Sequence, residues 1–83
     1  MEGVSRFGAK LRCLRKVRGW TQHELAQRLG YSSHTYLSEV ERGRKEPSLD
    51  LVISVADLFA VTTDQLLRDH LKLDAEEEDD AVR

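Results

Sequence analysis

The chain has 83 residues, of which 40% are hydrophobic and 34% charged, with one proline, five glycines and a formal net charge of -2. That length holds one domain with a small core, and the lone cysteine, Cys13, excludes a disulfide within the chain. No 18 apolar residues run together and no apolar leader stands at the start, so neither a membrane span nor export is expected. His23, His34 and His70 lack metal-ligand spacing and no glycine-rich phosphate loop occurs, so the chain reads as a non-enzyme without metal or cofactor.

The charge is unevenly spread. Residues 1 to 68 carry 11 Lys or Arg against 8 Asp or Glu, a surplus of +3, while residues 69 to 83 carry 2 against 7, a deficit of -5. A mildly basic body and an acidic tail together make the stated -2. The body therefore remains compatible with a polyanionic partner.

The first predicted helix runs from Phe7 to Arg18, with Phe7, Leu11 and Leu14 as its buried stripe and Lys10, Arg12, Lys16 and Arg18 facing out. Cys13 reads as a small, half-buried helix residue, Gly19 stops the helix, and Trp20 reads as a plug for the core. Thr21 followed by Glu24 is a capping box that opens a second helix over about Gln22 to Leu29. Leu25, Ala26 and Leu29 share its inner face, and Gly30 can take the left-handed conformation that ends it. After the turn Tyr31-Ser32-Ser33, either serine can cap a third helix, about Ser33 to Arg42, whose inner face passes through Leu37 and Val40 with Tyr36 on its flank. Steps of about 100° then place Thr35, Ser38, Glu39 and Arg42 on the outer face.

Pro47 bars a helix through Arg44-Lys45-Glu46-Pro47, and Ser48 caps a fourth helix with Val52, Val55, Ala56 and Phe59 at core spacing. Thr62 with Gln65 is a second capping box, opening a fifth helix through Asp64, Leu66 and Leu67 towards Leu71. This pattern predicts an all-α domain over residues 5–72 and an acidic, disordered tail over residues 73–83.

The run LRKVRGWTQHELAQRLG, a short turn, an ERG tripeptide and PSLDLVISVADLFAVTTDQLL resemble the phage repressor and Cro family of regulators, the XRE-type. The resemblance covers about Phe7 to Leu67 and implies a compact five-helix lambda-repressor-like helix-turn-helix domain. It further implies a homodimer that represses transcription from two-fold symmetric operators in double-stranded DNA, acting in the cytoplasm at the nucleoid. Carried over by position, Gln22 meets a backbone phosphate, while Ala26 and Gly30 let two helices approach. His34, Thr35 and Glu39 fall at base-reading positions, with Ser33, Tyr36 and Ser38 nearby, and Arg15 with Glu41 forms a structural ion pair. Arg42, Arg44 and Lys45 are placed to hold phosphates, and Leu66, Leu67, His70 and Leu71 to form the dimer contact.

Compared with the family pattern, the turn holds one residue more, so the first base contact is either His34 or Thr35. Glu39 either accepts from a cytosine amino group or pairs with Arg42. Two other functions fit the same residues. One is an antitoxin or restriction-control component that binds DNA and also a protein partner through the last helix or the tail. The other is a protein-interaction module that has lost DNA binding.

Overall fold

Hydroxyl side chains fix three helix starts. The computed structural model describes residues 6–68 and 73. It holds α1 (Phe7–Val17), α2 (Gln22–Leu29), α3 (Thr35–Glu41), α4 (Leu49–Phe59) and α5 (Thr63–Leu67), with no strand among the described residues. Thr21, Ser48 and Thr62 each accept the backbone N–H three residues on, and Glu24 and Gln65 return the bond to complete two capping boxes. Each cap satisfies donors that a helix start would otherwise leave without partners.

The core is one cluster drawn from all five helices. It runs through Phe7, Leu11 and Leu14 of α1, Leu25 and Ala26 of α2, Leu37 and Val40 of α3, Leu51, Val52, Val55, Ala56 and Phe59 of α4, and Leu66 of α5. Leu73, which composition assigns to the tail, is fully buried in the same cluster. The core thus reaches into the stretch read as acidic. Leu66, a dimer-contact candidate, is 0% exposed. It completes the interior, because the short α5 has one buried position to spend and Leu66 fills it.

Two further features depart from the sequence reading. Lys10, expected to face out, is 0% exposed. It lies three residues after Phe7 and four before Leu14, on the buried stripe itself, and its ammonium donates to the carbonyls of Gln65 and Arg68, the latter at 2.8 Å. Those carbonyls close α5, where a helix leaves acceptors unpaired and favours a cation. The other departure is α3, which begins at Thr35 instead of Ser33 and ends at Glu41, with Arg42 as its cap. Ser33 bonds the Thr35 N–H only two residues on, a turn that delays the helix past His34.

Gly8 sets how α1 meets α3. A Cβ there would run into the carbonyl oxygens of Val40 and Glu41, the second at 2.9 Å. Only glycine allows this approach. Gly30 ends α2 at φ 87°, and Ala60 ends α4 in the same left-handed region at φ 57°.

Candidate nucleic-acid interface

What α3 can present depends on how firmly its inner side is held. Leu37 and Val40 are buried against the neighbouring helices, which fixes the roll of α3 about its axis. Its last turn is fastened by charge. Arg15 Nε donates to Glu41 Oε2 at 2.9 Å, Arg15 Nη2 to Glu41 Oε1 at 3.1 Å, and a third guanidinium donor reaches the Trp20 carbonyl at 2.9 Å. The side chains are 11% and 3% exposed, so this two-pronged pair is shielded from water.

The amide of Gln22 donates to Glu41 Oε1 at 3.1 Å, which joins the start of α2 to the end of α3. One of its two amide hydrogens is thereby used. Tyr36 is likewise engaged within the domain. Its hydroxyl donates to the Glu46 carbonyl at 3.3 Å and accepts the Ser48 N–H at 2.8 Å, so it clamps the α3–α4 link. Its ring lies 5.8 Å from that of Tyr31. Burial, then the neighbouring Tyr36, pushes the Tyr31 hydroxyl pKa up against an opposing hydrogen bond with Ser48, so Tyr31 stays neutral.

The outer side is different. His34 and Thr35 are exposed, Ser38 and Glu39 are half-buried, and Arg42 is exposed at the helix end. Ser33 Oγ donates to Thr35 Oγ1 at 3.1 Å, which leaves the threonine hydroxyl able to donate outward. Glu39 has no ion pair among the described residues, and its pairing with Arg42 is not formed. Beyond α3, Gly43 turns the chain at φ 79° and carries Arg44 and Lys45 out as exposed cations. The geometry thus gathers Ser33, His34, Thr35, Ser38, Glu39, Arg42, Arg44 and Lys45 on or beside one helix. It turns Gln22 and Tyr36 partly inward.

Trp20 is half-buried against the core, 5.6 Å from the Phe59 ring, and the guanidinium of Arg28 lies 4.2 Å from its centre. It braces the domain. Of the remaining dimer candidates, Leu67 is half-buried, and His70 and Leu71 lie outside the described residues.

Sequence reasoning missed three positions. Gly8 and Lys10 carried a signal, because both sit at helical spacing from residues that pack inward. His23 carried none. Its ring meets that of His34 at 6.4 Å between centres and 89° between planes, a contact made across the turn between α2 and α3.

With that geometry in view, residues 6–71 match the helix-turn-helix domain family. The chain is 37% identical over 60 residues to the uncharacterized HTH-type transcriptional regulator YazB of Bacillus subtilis, across 72% of this chain and 86% of YazB. It is 35% identical over 63 residues to the cryptic phage CTXphi transcriptional repressor RstR of Vibrio cholerae, across 76% of this chain and 56% of RstR. Among solved structures, a hypothetical transcription factor, NHTF, from Neisseria superposes with a TM-score of 0.69 at 30% identity, covering 96% of this chain and 85% of that one.

Proposed function

The chain belongs to the XRE/Cro-like family of helix-turn-helix DNA-binding transcriptional regulators, which are not enzymes, and from that premise we propose that it is a dimeric repressor reading a two-fold symmetric operator. α3 enters the major groove. Thr35, Ser38 and Glu39 face base edges with His34 and Ser33 at the leading end, and Arg42, Arg44 and Lys45 hold phosphates on either side. Gln22 keeps one amide hydrogen and the backbone N–H of a helix start for a further phosphate.

One observation carries this reading. The inner polar groups of α3 and its neighbours are paired with one another, while on the outer side Ser38, Glu39 and the three cations have no side-chain partner among the described residues, and Thr35 is met only by Ser33. A helix held so tightly presents its outer groups at fixed positions, which is what discrimination between bases requires. Dimerisation is placed at the α5 end, through the exposed part of Leu67 with His70 and Leu71. The binding domain is assigned to residues 5–72 together with Leu73. Among the described residues no helix is long and apolar enough to cross a membrane. The proposed place of action is the cytoplasm, on the DNA.

Selection of bound duplexes from a random pool at near-physiological salt tests the proposal. The expected product is a palindromic motif with half-sites about one helical turn apart. An isolated half-site would refute the dimer, and enrichment of no motif would refute base reading.

A further inference from the structure

We propose that His23 and His34 act as one unit that grips a single DNA phosphate at the junction of α2 and α3. The inference rests on the interface assigned above, moves His34 from the base-facing group to the phosphate contacts, and adds a residue, His23, that neither the helix phase of α3 nor family position picks out.

His23 lies in the first turn of α2 and His34 immediately precedes α3. Both are exposed, yet their rings converge to 6.4 Å between centres. A ring nitrogen lies roughly 1 Å from the ring centre and hydrogen-bonds at about 2.8 Å, so each imidazole reaches an acceptor about 4 Å from its own centre. Twice that reach exceeds the separation of the rings. Because the N–H groups lie in the ring planes, which stand 89° apart, an acceptor group that meets both rings sits near where those planes cross.

The chemistry favours an anion. A neutral imidazole always has one N–H to donate and a charged one has two, so the pair offers between two and four donors. Nothing among the described residues consumes them. The nearby polar side chains of Gln22, Ser33 and Tyr36 hydrogen-bond inside the protein, whereas neither histidine side chain bonds to another described residue. His34 does not cap α3 with its side chain either. Among the described residues no group of three or more His, Cys, Asp or Glu side chains could hold a metal, so the pair lacks further ligands for a cation. A phosphodiester beside the reading helix supplies an acceptor of the right sign and size, and hydrogen bonds to a charged group are the stronger kind.

The test measures binding of the full chain to a selected duplex and to a scrambled duplex for His23→Ala, His34→Ala, the double variant and Lys45→Ala, at fixed pH and salt. Thermal melts confirm that each variant is folded, which exposed positions should allow. A shared grip predicts that either single histidine change weakens both duplexes roughly ten-fold and that the double variant is little worse than the singles. Unchanged affinity in the His23 variant overturns the proposal. So do losses that multiply in the double variant, which mean two independent contacts, or a His34 loss confined to the selected sequence, which means base reading. The wider reading fails differently: the unaltered chain would then show no salt-dependent binding and Lys45→Ala would change nothing, whereas failure of the pair alone leaves both of those responses intact.

Discussion

Two shielded cations fasten α1 to the rest of the domain, and they do so by different means. Arg15 locks onto the carboxylate of Glu41 with two parallel hydrogen bonds and spends a third donor on the Trp20 carbonyl. Lys10 inserts its ammonium among the closing carbonyls of α5. The planar fork of arginine fixes an angle as well as a distance, which suits the joint that orients α3. A lysine ammonium is a point charge with rotatable donors, enough to hold a helix end without dictating its orientation. One helix thus joins α3, the proposed reading helix, rigidly and the proposed dimer helix more loosely.

Removing single partners breaks the comparison at its strongest point first. Glu41→Ala leaves the Arg15 guanidinium shielded from water without its counter-charge and also strips Gln22 of its acceptor. The expected loss is about 3–5 kcal/mol, the cost of an uncompensated buried charge, read as a lower midpoint in urea unfolding. A loss below about 1 kcal/mol would show that water reaches Arg15 and that the pair is in effect a surface one.

Lys10→Met sharpens the contrast, because it removes the buried charge itself and keeps a chain of similar length. Among the described residues, what remains is a pair of carbonyls without this donor, worth about 1–3 kcal/mol. The change should therefore cost less than Glu41→Ala under the same conditions. Equal losses would mean that Lys10 orients α5 as strictly as Arg15 orients α3.

The sequence announces some of this fold and conceals the rest for physical reasons. Capping boxes are local chemistry between residues three apart, so Thr21 with Glu24 and Thr62 with Gln65 mark real helix starts. The core face of each helix follows from spacing, and all four apolar positions expected in α4 are buried. Of the stripe that phase assigns to the outer side of α3, Thr35 and Arg42 are exposed and Ser38 and Glu39 half-buried. Lys10 was not legible, because a charged residue on an apolar stripe is ordinarily assigned to water, and its burial is made tolerable by partners such as the α5 carbonyls, more than fifty residues on. Its position on the stripe was the available clue. The start of α3 differs from the sequence reading because neither serine caps the helix: Ser33 accepts the Thr35 N–H in a local turn, and His34 takes the cap position without a side-chain bond. His23 meets His34 only through tertiary structure, and no periodicity joins residues in different helices.

Helix ends show the same limit and give the smallest expected effect. Gly30 and Ala60 hold one conformation, but only Gly30 declares it, since glycine alone enters the left-handed region without penalty. Ala60 carries a Cβ where it crowds the following carbonyl, at a cost of about 1–2 kcal/mol. Ala60→Gly removes that strain and adds freedom to the unfolded chain, which returns roughly half of the gain. The net expectation is a stabilisation of about 0.5–1 kcal/mol, read as a higher urea midpoint at unchanged slope. DNA binding should not change, because Ala60 lies at the far end of α4 from the α3–α4 link. A destabilised variant would mean that the Ala60 methyl contributes packing that outweighs its strain, and the end of α4 would then be held by side-chain contact more than by backbone conformation.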